Sequence, residues 1–447
     1  MAKKLKEVTR REFLGMSALG LTGLTILPSW TINGVKIAPS DRITLGFIGL
    51  GRQGIGDFHA FSQCPGVQII AGSDVDSMKR DRFNRVVTGW QEKLQLPVKC
   101  DTYEFYEDML DRKDIDAISI ATPDHWHALT AIHACQSGKD VYCQKPLSYT
   151  ISESLAMVEA AKKNKRIFQV GSQQRSSPEF QKAVSLVREG KIGHIEKVYV
   201  RIGEPPRPFD LPEMPVPSNL NFRQWLGPLN DPKVHYNSAM CPPIAPPDYQ
   251  EKGDWATWRY YRETGNGFTG DWGAHHFDIA QWALGLDGSA PIEYIPAGYN
   301  GTEFTTVKYA NGIVMTEQPF REDRPNDKGI QFIGTNGWIK VARGYIECSD
   351  PSLLQKTEKE IEAGSFEVSA PHMQDFLNSM RSRQNPIAPV EAGCSTNILC
   401  CLINIATELN RPVIWDPVTH SFGDDKEAES HRLYWYDYRE PYKLPYW

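Results

Sequence analysis

The sequence predicts a two-domain α/β protein: a doubly wound parallel sheet, then an α+β domain built on an open, mostly antiparallel sheet. Three observations predict it. Short apolar runs alternate with helical stretches over about residues 41–171, the pattern of a parallel sheet with helices on both faces. Beyond that point strands with alternating apolar and polar residues take over, as one solvated face requires. And 447 residues are more than one core ordinarily serves.

Ile43–Ile48 is a mostly apolar run leading straight into Gly49, and reads as a buried strand. A helix follows over about Gly51–Gln63. Val67–Gly72 is the next strand, and Ile115–Ala121 another, closed by Thr122-Pro123. A helix covers about His127–Ser137 and stops at Gly138. Asp140–Cys143 is a strand, Ser152–Asn164 an amphipathic helix, and Ile167–Val170 one more strand. In the second half Ile195–Ile202 alternates, as does Phe304–Tyr309 with Gly312–Thr316; Ile330–Ile333 should pair with Trp338–Val341. Proline-rich loops at Pro205–Pro217 and Pro242–Pro247 interrupt this domain, and long irregular loops are often functional. The tail from Tyr434 is crowded with Tyr and Trp, a composition suited to packing on the body or on a neighbouring subunit. The expected division is 1–34 as signal and linker, 35–170 as the parallel-sheet domain, and 171–447 as the substrate and oligomerisation domain.

Hydrophobic residues make up 40%, charged residues 23%, and the net charge is −6, ordinary for a globular protein. No long basic run follows the first residues, so nucleic acid is not an expected partner. Nine cysteines are scattered without a Cys-x-x-Cys, and Cys400-Cys401 fall in an apolar helical run, so free buried thiols are expected. At the start, Lys3, Lys4, Lys6, Arg10 and Arg11 precede the short apolar stretch Phe13–Leu27. Basic then apolar is the order of a signal peptide. The run Thr9-Arg10-Arg11-Glu12-Phe13-Leu14 looks like a twin-arginine signal, which implies export of the folded protein. The expected location is periplasmic or otherwise exported, with the segment cleaved near Ser29 or kept as a tether. No membrane span is expected after processing.

Gly49, Gly51 and Gly54 follow a strand and open a helix. The first permits the tight turn, the second lets backbone approach a pyrophosphate, and the third allows close helix–strand packing. Helix N–H groups then face the phosphates. With Arg52 and Gln53 this turn is a dinucleotide-binding signature of a Rossmann domain. Asp74 ends the second strand about 20 residues on, where an acid binds a ribose 2′-hydroxyl. Asp74 and Asp76 would repel a 2′-phosphate, which favours NAD over NADP. A glycine turn in a nucleotide-free α/β domain is the other reading of these residues.

Two further runs, Ala121-Thr122-Pro123-Asp124-His125-Trp126-His127 and Gly138-Lys139-Asp140-Val141-Tyr142-Cys143-Gln144-Lys145-Pro146, complete a pattern. From about Ile43 onward the chain resembles the Gfo/Idh/MocA family of sugar and polyol oxidoreductases. The resemblance implies that Lys145 touches a substrate hydroxyl and the nicotinamide edge, and that the Lys145–Pro146 bond is cis. Thr122, Pro123, His127, Gln144 and Lys145 would then join the glycine turn in holding the cofactor. Gln144 stands where the family has Glu, so an ionic role at that position is lost. Without the family, Lys145 also reads as an ordinary surface lysine.

The third constellation is Gly270–Trp282. Read as one helix, it puts Asp271, His275 and Asp278 on one face, with His276 displaced. By resemblance Asp271 and His275 are similar to a catalytic pair, His275 as general acid/base oriented by Asp271 and Lys145 polarising the carbinol. A capping Asp and a core histidine fit the same residues. Arg175, at the end of a strand near the domain junction, and Trp272, His276 and Asp278 are expected substrate contacts. Arg175 pairing with a carboxylate, and Trp272 as core, are the alternatives. His125, His127, His275 and His276 lack the spacing of a zinc site, and no metal is expected.

The implied reaction is hydride transfer between the carbinol of a sugar, polyol or glycoside and a nicotinamide cofactor, in a homo-oligomer (dimer or tetramer). Free NAD is expected to be scarce outside the cytoplasm, which favours tightly held cofactor. The alternatives are redox-neutral glycoside cleavage through a keto-sugar, and a sugar-binding protein without turnover.

Overall fold

The computed structural model describes residues 30–32, 35–37, 42–96, 99–245, 255–354 and 369–446. The twin-arginine and apolar stretches expected of a signal peptide lie outside these residues. Trp30–Ile32 (β1) and Val35–Ile37 (β2) pair as a short antiparallel hairpin.

Six parallel strands form the first sheet: Ile43–Ile48 (β3), Val67–Ser73 (β4), Asp101–Tyr103 (β5), Ala117–Ile120 (β6), Asp140–Cys143 (β7) and Phe168–Val170 (β8). Their order is β5-β4-β3-β6-β7-β8. The chain therefore runs outward from β3 first one way, then the other. The crevice beyond the carboxyl end of β3 is the switch point where such sheets bind ligands, and the glycine turn sits there.

Besides β5 and the short helix Tyr106–Leu110, one long helix of this domain, Ser77–Lys93, has no counterpart in the sequence reading. Asp76 caps it, accepting from Met78 N. Its inner stripe is Lys79, Phe83, Val87 and Gln91, half of it polar, so no apolar period of 3.6 marks it.

The second sheet has eight strands, in the order β15-β14-β13-β9-β12-β11-β10-β16. These are Ile195–Arg201 (β9), Glu293–Ile295 (β10), Thr306–Lys308 (β11), Val314–Thr316 (β12), Gly329–Gly334 (β13), Gly337–Ala342 (β14), Tyr345–Cys348 (β15) and Val413–Ile414 (β16). Every pairing is antiparallel except β9 with β12. Val198 and Val200 of β9, Ile330 and Phe332 of β13, and Ile339 and Val341 of β14 are buried on one face, under helices Pro178–Arg188 and Gly273–Leu284.

From Ser369 the chain returns to the first domain. Helix Ser369–Ser382 packs on helix Arg52–Ser62, burying Met373, Phe376 and Leu377 among Phe47, Phe61 and Tyr142. Helix Val390–Leu409 packs on Ile151–Asn164. It is the one helix among the described residues long and apolar enough to cross a membrane, and it is buried in the body. The aromatic tail also closes on the chain's own body. Tyr436 and Tyr438 donate to buried Glu153 at 3.3 and 2.6 Å, and Tyr446 Oη accepts from Gln136. All nine thiols are buried and free.

Candidate active site

A cleft of about 630 Å³ runs from the glycine turn to the second domain. Gly49 has φ +84°, and a Cβ there would lie 2.6 Å from the Ala121 carbonyl. A Cβ on Gly54 would lie 2.1 Å from Gly49 O. Both positions therefore require glycine. Gly51 is the N-cap of the helix and offers no capping side chain, which leaves the first N–H groups open to an anion. Thr122 Oγ1, on the cleft wall, is buried without a partner, as expected where a ligand completes the bonding. These features fit a dinucleotide.

Asp74 lines the cleft at the end of β4. Its Oδ2 accepts from Leu50 N at 2.8 Å and its Oδ1 from Asp76 N at 2.9 Å, leaving each oxygen one lone pair for a ribose diol. Asp76 is occupied otherwise: it caps Ser77–Lys93 and accepts from Asn219. Asp74→Ala should therefore weaken NAD binding and raise relative acceptance of NADP. Dissociation constants for both cofactors measure this, and an unchanged ratio would remove Asp74 from the ribose site.

Gln53 and Gln144 stand behind the turn. Gln53 donates to Asp57 Oδ1 at 2.8 Å, and Gln144 Nε2 lies 2.8 and 3.0 Å from the two Asp57 oxygens. Burial pushes the Asp57 carboxyl up to about 7. A glutamate at 144 would set a second carboxylate against the first, which gives a physical reason for Gln here. His127 Nδ1 faces Pro146 O at 2.8 Å and its Nε2 faces Thr122 O at 3.0 Å. Burial lowers its pKa to about 4, and a neutral ring donates to only one of the two. It ties the Thr122-Pro123 turn to the Lys145–Pro146 corner, whose bond is cis. His125 is a packing residue, bonded to Trp225 O.

Lys145 Nζ forms an ion pair with Asp271 Oδ1 and donates to Asp271 O at 3.1 Å. Burial raises the Asp271 carboxyl, but Lys145 and Arg259 outweigh it and hold it below its ordinary value. The chain over 267–284 is not one helix. It breaks at Trp272 into Gly267–Asp271 and Gly273–Leu284, and His275 N bonds Trp272 O, three residues back rather than four. No hydrogen bond joins Asp271 to His275 among the described residues. The expected orientation of His275 by Asp271 is thus replaced by Asp271 anchoring Lys145. His275 faces the same cleft with Nδ1 buried and unpartnered. Burial first, then Lys145 and Arg343, push its pKa well down, leaving a neutral imidazole with a free ring nitrogen that can accept a hydrogen bond from a hydroxyl.

Of the expected substrate contacts, only Trp272 lines the cleft. Arg175 is 1% exposed and forms bidentate pairs with Asp278 and Asp287 at 2.7–2.9 Å. Both Arg175 and Asp278 lie off the cleft wall, and with Ile387 O taking the fifth N–H at 3.0 Å the buried guanidinium has no donor left for a sugar. His276 is buried, with Nδ1 against Arg201 O at 3.2 Å. Sequence reasoning also passed over cleft residues. Asp124, in the first turn of helix Asp124–Gln136, is 4% exposed, and burial pushes its carboxyl up to about 8 despite Arg259 and Lys145. Arg259 and Arg343 reach the cleft from the second domain. Asp124 lay in plain view beside Thr122-Pro123; the two arginines carry no local signal.

Family models describe this architecture. Residues 43–172 match the oxidoreductase family's NAD-binding Rossmann fold and residues 207–444 its C-terminal alpha/beta domain. The chain belongs to the Gfo/Idh/MocA family of oxidoreductases. Among curated relatives it is similar to a glycosyl hydrolase family 109 protein of Shewanella pealeana, 29% identical over 213 residues, 43% of this chain and 46% of that protein. The chain thus spans about half the length of the curated relatives it matches. Among solved structures, aldose-aldose oxidoreductase from Caulobacter crescentus superposes with a TM-score of 0.55 at 17% identity, over 83% of this chain and 99% of that one. A levoglucosan dehydrogenase bound to NADH and L-sorbose gives 0.58 at 18% identity, over 85% and 100%. At these identities the structural likeness speaks for the fold.

Proposed function

We propose that the protein is an NAD-dependent oxidoreductase moving hydride between a carbohydrate carbinol and a tightly held nicotinamide cofactor. The observation that carries this reading is one cleft joining the glycine turn to the Lys145–Asp271 pair and His275. Bound NAD supplies the hydride acceptor. Lys145, held between a cis-proline corner and Asp271, orients and polarises the substrate hydroxyl. Neutral His275 takes the hydroxyl proton as hydride leaves the same carbon. Homology to the levoglucosan and aldose enzymes supports a sugar, polyol or glycoside as substrate, with NAD preferred to NADP on the position of Asp74.

Tight retention is supported by Trp255, whose ring centre lies 5.0 Å from the guanidinium of Arg52 beside the glycine turn and 5.2 Å from that of Arg259 in the second domain. All three residues line the cleft. Trp255→Ala should raise the cofactor dissociation rate by about tenfold, for the loss of one to two cation–π contacts. Stopped-flow release of the reduced cofactor reads it, and an unaltered rate removes the clasp.

The sequence supports export by the twin-arginine route, with the signal cleaved or kept as a tether. The face of the eight-stranded sheet opposite helices Pro178–Arg188 and Gly273–Leu284, where Tyr199, Gln331, Ile333 and Trp338 are only half-buried among the described residues, supports a homo-oligomer. The testing experiment is a near-ultraviolet spectrum of the dialysed protein before and after sugars are added, with no cofactor supplied. A sugar-dependent change in a bound nicotinamide band is expected; silence even with NAD added would overturn hydride transfer. The family 109 relative favours a second reading, redox-neutral glycoside cleavage. Aglycone release without net change of the band would select it.

A further inference from the structure

Three cations at or beside the candidate site, Arg259, Arg343 and Lys328, have no carboxylate ion pair among the described residues. Arg259 donates to Ala256 O at 2.6 Å and packs on the rings of Trp255 and Trp258, which leaves Arg343 and Lys328. Arg343 follows β14 and reaches into the cleft. Its Nε donates to Gln174 Oε1 at 3.2 Å, and its guanidinium lies 4.6 Å from the centre of the Trp272 ring. Lys328, just before β13, lies 5.1 Å from the same ring and 4.7 Å from Phe268. Several other arginines of this domain are matched by acids: Arg175 by Asp278 and Asp287, Arg201 by Glu317 at 3.0 Å, Arg321 by Asp323 at 2.8 Å. Lys145 is matched by Asp271. Glu179 and Asp271 act on Arg343 only through space, and Glu179 instead accepts from Gly344 N at 3.0 Å.

Trp272 therefore has two positive groups against its ring, one residue from Asp271 and three from His275. Stacking on an aromatic ring and a single bond through Nε fix the plane of a guanidinium and leave its terminal NH₂ groups to bind in a bidentate fork. A neutral carbinol substrate uses no such charge. Nor do the cofactor phosphates, whose cradle is the glycine turn on the other domain.

We propose that the substrate bears a carboxylate, as a sugar acid does, and that Arg343 binds it with Lys328 adding positive charge beside Trp272. This rests on the carbohydrate reading above and narrows its substrate class.

The test is calorimetric titration of the protein as purified, with its cofactor, using D-glucuronate and D-galacturonate against D-glucose and D-galactose, with hydride transfer followed in parallel by nicotinamide absorbance. The acids should bind at least about tenfold tighter than their neutral parents. That preference should fall with rising salt and collapse in Arg343→Gln. Lys328→Gln, on a half-buried side chain that makes no ion pair among the described residues, should reduce it in the same direction and serves if Arg343→Gln does not fold. Equal or tighter binding of the neutral sugars, no binding of the acids, or a preference indifferent to both variants would overturn the proposal. The two readings separate cleanly. Arg343-dependent acid binding without hydride transfer keeps the acid site and removes the oxidoreductase reading; turnover of neutral sugars alone does the reverse.

Discussion

Lys145→Met is expected to lower kcat by about 10²–10⁴-fold, the usual range for a positioned proton-transfer or polarising group, while the nicotinamide stays bound. The cofactor cradle, Gly49 to Gly54 with Asp74 and Thr122, does not depend on the lysine, whereas the Asp271 carboxylate does. With the ammonium gone, Asp271 keeps only the through-space effect of Arg259 and Arg343, and its pKa should rise. The variant should therefore also lose stability, by less than the 3–5 kcal/mol typical of breaking a fully buried pair, because both side chains keep some contact with the cleft (17% and 21% exposed). Lys145→Arg restores charge but not the compact donor, and should recover stability more than kcat. Steady-state kinetics, retained nicotinamide absorbance and thermal melts separate these effects. A Lys145→Met enzyme within threefold of the parent kcat would remove the lysine from the chemistry.

That lysine was legible in the sequence because its constraint is local: a buried strand, then Lys-Pro at a corner. The glycine turn was legible for the same reason, since Gly49 and Gly54 are demanded by contacts a few residues away. The Asp271–His275 relation was misread because helical spacing assumes a continuous helix, and the break at Trp272 shows only in the hydrogen bonds. Arg175 sits at the right strand end for a ligand contact, yet its partners Asp278 and Asp287 lie over a hundred residues on. Arg343 and Arg259 were missed for the converse reason: tertiary folding alone brings a hairpin end and a loop to the cleft. The helix Ser77–Lys93 escaped because half its inner stripe is polar. What the sequence conveys is short-range necessity; pairings set by long-range closure need the structure.

Stability should peak near about pH 6.5 and fall toward about pH 8. Two sets of buried groups titrate in opposite senses. His125, His127 and His372 are lowered to about 4 and His276 to about 3, all chiefly by burial. The unfolded chain binds those protons first, so stability is lost as pH falls below the ordinary histidine value of about 6.5. Asp57 and Glu153 are raised to about 7 and Asp124 to about 8, again chiefly by burial. Here the folded protein holds the protons, so their stabilisation is complete below the ordinary carboxyl value and is lost as pH rises through about 7 to 8. Below about pH 6.5 the two sets oppose each other; above it only the carboxyls remain, and the slope is negative. For Asp57 alone the linkage amounts to about 4 kcal/mol over the whole interval from its ordinary value. Asp57→Asn should flatten part of the alkaline slope. Gln144→Glu, which replaces donors at 2.8 and 3.0 Å from the Asp57 oxygens by a second acid, should lower the melting temperature and steepen the slope, since two touching carboxylates must share a proton to remain buried. Thermal melts of the cofactor-bound protein at constant ionic strength measure this. A melting temperature that is flat or rising from about pH 6.5 to 8 would show that Asp57, Glu153 and Asp124 are already ionised in the fold, held by donors such as Gln144 and Tyr438 strongly enough to offset their burial.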